Sequence, residues 1–291
     1  MADSSGGDLF ILRNLHQGHR YIKKGTMIFP CPDSTTPDDI LPNEGILTVL
    51  SKQSNRIVIQ YNLLSVAKSG AGVQPTEARA MELVSDHTSV PVPEVFFFSF
   101  SSNHGSIHMS LIPGCPLEDK WDGLDEANKE FVCRQTWDLI SKIREIPRPE
   151  ELQNGPFQCS ADGSLSKDPM LMDLNFRSPK ALMNGHDVRD RIYERYLYFN
   201  GRRFEGQLLD MLPLSETSVF THADIAPRNI MVDEQNNITG ILDWEFAGWY
   251  PDYWEYTQLF RPAVKCRDWP VWMDRFAPRR WDLTGKLIFA L

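Results

Sequence analysis

Two neighbouring stretches of sequence decide the fold. They read FTHADIAPRNIMV, from Phe220 to Val232, and ITGILDWE, from Ile238 to Glu245. A polar turn of sequence DEQNN, residues 233–237, separates them. Short apolar runs bounded by Asp and Asn are typical of strands that a tight turn joins into a hairpin. We therefore predict two strands, Ile230–Val232 and Ile238–Leu242, that bring Asp243 back beside Asn229.

The first stretch carries an acid, Asp224, and an amide, Asn229. The spacing H-x-D-x-x-x-x-N, which begins at His222, equals that of the kinase catalytic loop. Phosphoryl transfer needs a positioned hydroxyl and screening of the charge on the phosphate oxygens. Asp224 is suited to accept the proton of a substrate hydroxyl, and Asn229 and Asp243 offer oxygen ligands of the kind that Mg²⁺ prefers. We predict Asp224 as the catalytic base and Asn229 and Asp243 as magnesium ligands.

An isolated H-x-D has a simpler explanation, because a turn capped by an aspartate gives the same pattern. The addition of Asn229 and of the strand-borne pair Asp243 and Glu245 favours the catalytic interpretation. We expect His222 to be structural, with its ring hydrogen-bonded to backbone groups of the loop. A direct role of His222 in the chemistry is the alternative. We assign Glu245, like His222, a supporting role.

The block from Thr221 to Val232, together with GILDWEFAGWYP from Gly240 to Pro251, resembles the aminoglycoside phosphotransferase/choline kinase-like family, most of all its fungal branch. The resemblance implies an α+β, protein-kinase-like fold with two lobes. The N-terminal lobe would hold a small antiparallel β-sheet and one main helix, and the C-terminal lobe would be larger and mainly helical. The resemblance also implies ATP-dependent phosphorylation of a small-molecule hydroxyl. It does not imply an aminoglycoside as the acceptor.

A lysine and a glutamate upstream match the nucleotide-binding part of that family. Three candidate strands predict a small antiparallel sheet: Ile46–Leu50, Arg56–Tyr61 and Leu64–Lys68. Lys68 ends the third strand, where its ammonium can reach the phosphates of ATP; a surface lysine with a buried stem is the alternative. In kinases a helix glutamate orients this lysine. On the predicted helix Thr76–Val84, Glu77 matches the family's position, and Glu82 lies on a different face.

Two other nucleotide-binding features are less clear. No G-x-G-x-x-G lies between the first strands, so Gly45 and the turn Ser51–Asn55 are the candidates to cover the phosphates. A later strand pattern resembles the hinge of family members, and there we expect backbone groups of Met109, Ser110 and Leu111 to hydrogen-bond adenine. Family members commonly have an acid where this chain has Ser110.

These patterns divide the chain into three predicted parts. They are an N-terminal extension with a loop, residues 1–45, a nucleotide-binding N-terminal lobe, residues 46–112, and a C-terminal lobe with the catalytic loop, metal site and substrate side, residues 113–291. Asp125 is the predicted N-cap of a long helix. Residues 150–185 are rich in Gly, Pro, Ser and Asp and are predicted to be irregular. They either border the substrate site or form a plain insertion.

Aromatic and acidic side chains leave further alternatives. We expect Phe96, Phe97 and Phe98 to belong to the core. The aromatic residues between 248 and 256 either pack beneath the hairpin or line a pocket for a cation or flat ligand. Glu245, Asp252 and Glu255 are able to attract an amine, but each is also an ordinary capping or surface acid.

Composition excludes several classes of protein. The chain has 291 residues, 42% hydrophobic and 24% charged, as in ordinary globular proteins. Its net charge of -9 argues against nucleic acid as a partner and suits a cationic small molecule. Five cysteines without a C-x-x-C pair favour free thiols in a reducing compartment. No apolar run reaches membrane-spanning length, and no secretory signal is recognisable. We expect a cytoplasmic protein without a membrane partner, and make no prediction of oligomeric state.

We therefore predict an ATP-dependent small-molecule kinase that transfers the γ-phosphate of Mg-ATP to a substrate hydroxyl. A catalytically silent nucleotide-binding scaffold is one alternative, favoured by the missing glycine loop. A protein kinase is the other, although the sequence lacks D-F-G and A-P-E.

Overall fold

The computed structural model describes residues 14–36, 44–261 and 265–281. Its contacts divide the chain into two compact units. The N-terminal lobe holds the described residues up to Ala78 together with Pro93–Leu111, and the C-terminal lobe holds Arg79–Val92 and the described residues from Ile112 onward. Strands and helices are mixed in an α+β architecture.

The N-terminal lobe is built on a seven-stranded antiparallel sheet with the order β2-β1-β3-β4-β5-β7-β6. Its strands are β1 Arg20–Lys24, β2 Met27–Pro30, β3 Glu44–Lys52, β4 Ile57–Gln60, β5 Ser65–Gly70, β6 Val95–Phe100 and β7 Gly105–Ser110. Helix α1, Pro75–His87, follows β5. Buried and partly exposed residues alternate along β4 and β7, because successive side chains of a strand point to opposite faces.

The first two strands correct the prediction of an extension over residues 1–45. β1 pairs with β3, and Tyr21 lies opposite Leu47. Tyr21 is buried in a cluster with Leu47, Val49, Ile57 and Ile59. Strand β1 has five residues and β2 has four, and β1 buries only one of its side chains. Such short strands give too little alternation of apolar and polar residues to be recognised from sequence.

The three phenylalanines of β6 were expected in the core, and that prediction is wrong. Phe96, Phe97 and Phe98 are exposed by 49%, 59% and 49%. β6 is an edge strand of the sheet. The ring of Phe97 stacks on that of His108, with centroids 4.1 Å apart. Consecutive aromatic residues predict a strand, but they do not reveal whether its faces are covered.

The turn between β3 and β4 is fixed by a close approach to Gly70. Gly70 has φ of +140°, and a Cβ atom there would lie 2.2 Å from the carbonyl oxygen of Asn55. The same oxygen accepts a hydrogen bond of 3.0 Å from the N–H of Gly72. The candidate phosphate-covering turn is thus held against the end of β5.

The C-terminal lobe combines helices with two small three-stranded sheets, ordered β10-β13-β9 and β12-β11-β8. Its helices are α2 Leu117–Lys120, α3 Glu126–Ile143, α4 Gly185–Tyr198, α5 Leu208–Met211, α6 Trp254–Gln258 and α7 Trp269–Phe276. Its strands are β8 Cys115–Pro116, β9 Cys159–Ser160, β10 Ser218–Thr221, β11 Ile230–Val232, β12 Ile238–Ile241 and β13 Gly248–Pro251. Asp125 caps α3 as predicted, because its side chain accepts from the N–H of Asn128.

The core of this lobe explains the aromatic segment after the hairpin. Its large side chains are buried, which confirms the packing interpretation: Trp249, Tyr250, Tyr253, Trp254 and Tyr256. Residues 150–185 are mostly irregular, as predicted. Arg191 and Arg195 of α4 hold part of this segment by donating to the carbonyl oxygens of Leu171 and Met172 at 2.9 and 2.7 Å. All five cysteines are free thiols. No helix in the described ranges has both the length and the apolar character needed to cross a bilayer.

Candidate active site

The hairpin of the C-terminal lobe places Asp243 next to Asn229. β11 pairs with β12 so that Ile230 lies opposite Ile241. Beyond this pair, the N–H of Leu242 donates to the carbonyl oxygen of Asn229 at 2.8 Å. The predicted hairpin is confirmed, and Asp243 directly follows the residue that is bonded to Asn229.

Two residues, one before and one after the hairpin, have an unusual backbone conformation. Ala223, just before Asp224, has φ of 66°, and Asp243 has φ of 63°. Left-handed conformations cost a non-glycine residue roughly 1–3 kcal/mol and persist only where the surroundings enforce them. In this structure the loop is therefore held in place by contacts outside it.

Glu255 of α6 supplies such contacts. Its carboxylate is buried, and Oε2 accepts from the N–H groups of His222 at 2.8 Å and Ala223 at 3.2 Å. Burial raises the pKa of Glu255, while neighbouring His222 and the backbone hydrogen bonds act in the opposite direction. From sequence, Glu255 resembled an ordinary acid; its position on a short helix of buried residues is the signal that was missed.

His222 connects the loop to the hairpin, as its structural interpretation predicts. The ring is fully buried. Its Nδ1 accepts from the N–H of Asp224 at 3.2 Å, and its Nε2 lies 3.0 Å from the carbonyl oxygen of Leu242. A ring protonated on Nε2 satisfies both bonds. His222 therefore ties the backbone of Asp224 to the strand end that carries Asp243.

Three polar side chains surround the carboxylate of Asp224. The amide nitrogen of Asn229 donates to the Asp224 carbonyl oxygen at 2.9 Å and to Oδ2 at 3.0 Å. Nη2 of Arg228 lies 2.6 Å from both carboxylate oxygens. Nη1 of Arg261 lies 3.9 Å from Oδ1, which is an ion pair without a hydrogen bond. Sequence reasoning left both arginines out of the site, although an acid and an arginine four positions apart were a usable signal.

Arg261 links Asp224 to the irregular segment 150–185. Nη2 of Arg261 lies 3.1 Å from both carboxylate oxygens of Asp168. Asp168 is fully buried, and it also accepts from Nε1 of Trp254 at 3.3 Å. Burial raises the pKa of Asp168, while Arg261 acts in the opposite direction. Through this pair the segment reaches Asp224, and its position at the substrate site stays a prediction.

The residues predicted to hold magnesium form a small oxygen donor set. Because the amide nitrogen of Asn229 faces Asp224, its Oδ1 faces away from that carboxylate. Asp243 adds a partly buried carboxylate. Among the residues described, no three His, Cys, Asp or Glu side chains are grouped to hold a metal by themselves. One amide oxygen and one carboxylate fit Mg²⁺, which takes few protein ligands and completes its shell with water and phosphate oxygens. Glu245 follows in the turn Trp244–Phe246 and is partly buried, and its supporting role stays a prediction.

The N-terminal lobe contains the predicted lysine–glutamate pair. Nζ of Lys68 on β5 lies 2.7 Å from Oε1 of Glu77 on α1, and both side chains are buried. Glu82, the weaker candidate, pairs instead with Arg79 at 3.6 Å on a more exposed face. The pairing is confirmed, and its contact with ATP stays a prediction.

Two of the three predicted hinge residues use their N–H groups within the lobe, and the contact of the hinge with adenine stays a prediction. The N–H of Ser110 donates to the carbonyl oxygen of Glu94 at 2.9 Å, and that of Leu111 donates to Leu64 at 2.8 Å. Oγ of Ser110 accepts from the N–H of Glu94 at 2.9 Å. These two N–H groups are engaged within the lobe, so adenine would have to use other backbone groups. A role for Met109, which lies opposite Val66 on β5, stays a prediction.

Known structures of aminoglycoside phosphotransferases have a similar fold. The gentamicin complex of APH(2″)-IIa superimposes with a TM-score of 0.55 at 13% identity, over 82% of this chain and 79% of that one. The ADP-bound aminoglycoside phosphotransferase APH(2″)-Ib also gives a TM-score of 0.55 at 13% identity, over 83% and 80% of the two chains. At this level of identity the likeness shows the fold alone.

Sequence comparison shows the family. The clavilactone A biosynthesis cluster protein Y of Ampulloclitocybe clavipes is 23% identical over 230 residues, which are 68% of this chain. This chain spans about half the length of that relative, 53%. The sequence profile of the phosphotransferase enzyme family matches residues 63–279, well over half of the chain. The chain therefore belongs to the phosphotransferase enzyme family.

Proposed function

We propose that this chain is an ATP-dependent small-molecule kinase that transfers the γ-phosphate of ATP to an alcohol group of its acceptor. The observation that carries the proposal is the group formed by Asp224, Asn229 and Asp243. His222, Glu255 and the β11–β12 hairpin fix this group in the C-terminal lobe. The protein contributes mainly positioning and electrostatics to such a reaction.

In the proposed step the acceptor hydroxyl donates its proton to Asp224. A bond forms between the acceptor oxygen and the γ-phosphorus, while the bond from the γ-phosphorus to the bridging oxygen breaks and ADP leaves. Asn229 holds the Asp224 carboxylate by its amide hydrogen bond of 3.0 Å to Oδ2. Because Asp224 is anchored through both its backbone and its side chain, it can present one oxygen to the hydroxyl in a defined direction.

The remaining groups serve the nucleotide. Asn229 Oδ1 and Asp243 would hold Mg²⁺, which when bound neutralises charge on the phosphate oxygens. Lys68, oriented by Glu77, is assigned to the α- and β-phosphates. Residues 46–112 would accordingly form the nucleotide-binding part of the chain, and residues 113–291 would supply catalysis and the acceptor side.

The relatives support this proposal. ADP is bound in one similar structure and gentamicin in another, so a nucleotide and a small molecule are ligands of proteins with this fold. The predicted catalytic groups Lys68, Glu77, Asp224, Asn229 and Asp243 are all present in this chain, which favours an active kinase over a silent scaffold.

Thermal unfolding with ATP tests the nucleotide site. We expect ATP to stabilise the wild type only with Mg²⁺ present, by roughly 2.7 kcal/mol at about 100 times its Kd. Asp243→Ala should lose this stabilisation. Asp138→Ala should keep it, because the Asp138 side chain is 64% exposed and pairs with Lys142 of the same helix. Absence of any shift in the wild type would contradict the proposal.

A further inference from the structure

Arg228 holds the proposed base with only part of its guanidinium. Nη2 makes both contacts to the Asp224 carboxylate, at 2.6 Å each. In the part of the chain that the structure describes, Nε and Nη1 donate no hydrogen bond. The Arg228 side chain is 51% exposed, whereas that of Asp224 is 11% exposed. The arginine therefore combines two donors that no described residue uses with a half-exposed side chain that contacts the base.

Arg261 adds a second cation at the same carboxylate. Its Nη2 is held by the buried Asp168, at 3.1 Å from each carboxylate oxygen. Its Nη1 is 3.9 Å from Oδ1 of Asp224, beyond hydrogen-bond distance. Nη1 thus lies beside the base and makes no hydrogen bond to any described residue. A guanidinium held by a buried carboxylate is pre-organised and loses little freedom when an anion binds.

The sequence suggested three acids that could bind an amine. Two of them, Glu255 and Asp252, are engaged in other contacts. Glu255 is buried and accepts from backbone N–H groups of the catalytic loop. Asp252 is mostly buried and pairs with Arg279 at 3.4 Å. An amine placed at Asp224 would meet two guanidinium groups at close range, and like charges at such distances repel.

We propose that Arg228 and Arg261 form an anion subsite beside Asp224, and that the acceptor carries a carboxylate or phosphate group close to the hydroxyl that is phosphorylated. This inference rests on the proposed kinase function. Arginine is well suited to the role, because its planar donor fork matches carboxylate and phosphate oxygens.

The subsite also explains how Asp224 becomes available. In the structure one nitrogen of Arg228 contacts both oxygens of the base. An anionic group on the acceptor competes with Asp224 for Arg228 and leaves Oδ1 to accept from the neighbouring hydroxyl. A neutral alcohol leaves Arg228 on Asp224, and an amine is repelled. Charge next to the hydroxyl is therefore the property that distinguishes acceptors.

Three small alcohols of similar size test the subsite: glycerate is anionic, glycerol is neutral and 2-amino-1,3-propanediol is cationic. Their binding is measured by ligand-observed NMR, with and without Mg²⁺ and a non-hydrolysable ATP analogue. We expect glycerate to bind wild type at least roughly tenfold more tightly than the other two, as expected for a charge-assisted contact. Arg228→Gln should remove this preference, and Arg228→Lys should retain part of it.

Arg134→Gln is the matched control, because Arg134 is an exposed helix arginine that also pairs with an acid four positions away. It should leave the glycerate preference unchanged. Equal binding of the three alcohols by wild type, or a glycerate preference that survives Arg228→Gln, would overturn the subsite. If Arg228→Gln weakens the ATP analogue but not glycerate, the anion held is the γ-phosphate, and the acceptor assignment is wrong.

Because glycerate binding is also measured without nucleotide, failure of the kinase proposal is seen separately, as absence of binding of the ATP analogue. Glycerate selectivity without nucleotide binding would leave the subsite standing and remove the kinase function. Nucleotide binding without glycerate selectivity would leave the kinase function standing and remove the subsite.

Discussion

Each lobe contains one close ion pair at a predicted functional residue, and the two pairs differ in their surroundings. Lys68 and Glu77 lie 2.7 Å apart with side chains 6% and 2% exposed. Arg228 and Asp224 lie 2.6 Å apart, but Arg228 is 51% exposed. The buried pair is almost completely shielded from water. The open pair can exchange its partner for water or for a ligand at little cost. The first is therefore suited to orient a lysine, and the second to respond to an acceptor.

The largest effect should come from breaking the buried pair. Glu77→Gln removes the carboxylate to which the buried Lys68 donates, and breaking such a pair costs about 3 kcal/mol or more. The free energy of unfolding, measured by urea denaturation, should fall by that amount. Glu82→Gln is the matched control on the same helix, because its pair with Arg79 is partly exposed. If the two variants lose the same free energy of unfolding, burial does not determine how much each ion pair contributes to stability.

The second-largest loss of stability should come from replacing Glu255, which holds the backbone next to Asp224. Glu255→Ala leaves two buried N–H groups, of His222 and Ala223, without their acceptor, which should cost about 2 kcal/mol. Because the backbone around Asp224 is then free to relax, phosphate transfer should fall as well. Glu255→Gln retains an acceptor oxygen and should lose less stability. If Glu255→Ala is as stable as wild type, the strained loop is held by other contacts.

Titration of the Glu255 carboxylate should make the free energy of unfolding depend on pH. Burial raises the pKa of Glu255 above its ordinary value of 4.5, so the folded state binds this proton more tightly than the unfolded chain. The resulting contribution to stability is present at low pH and is lost as pH rises through the folded pKa. The difference in free energy of unfolding between wild type and Glu255→Gln should therefore shrink as the pH rises above 4.5. Asp168 titrates in both proteins and cancels from the difference. A difference that grows with pH would contradict the sign.

The smallest effect on stability should come from the open pair itself. Arg228→Gln should change the free energy of unfolding by less than about 1 kcal/mol. The Arg228 side chain is half exposed, and an exposed ion pair is only slightly more stable than the two charges hydrated separately. A large loss in this variant would mean that Arg228 is a structural residue and would remove the contrast between the two lobes.

The residues of the catalytic hairpin could be predicted from sequence because they are local. Asp224 and Asn229 lie in one short block, and a turn of residues 233–237 returns the chain to Asp243. Lys68 and Glu77 are similarly close in the chain, within a strand and at the start of the helix that follows it. In such cases spacing and element type are sufficient to determine which side chains meet.

The remaining site residues depend on contacts between distant parts of the chain. Asp168 lies in an irregular segment, so no periodicity shows that its carboxylate is buried against Arg261. Glu255 and the catalytic loop are separated by the hairpin and β13, and only packing reveals their contact. Phe97 shows the opposite error, because an apolar residue of an edge strand was assigned to the core and is 59% exposed.

The account is tested most directly by phosphate transfer from γ-labelled ATP to a mixture of small hydroxyl compounds that includes glycerate. The label should appear on a small molecule in a reaction that needs Mg²⁺. Asp224→Asn, which keeps the shape of the side chain but is a poor base, should lower the rate by ~10²–10⁴-fold, as expected for loss of a general base. ATP binding without transfer would indicate a silent scaffold, and label found only on added proteins would indicate a protein kinase. Either result would contradict the proposed function.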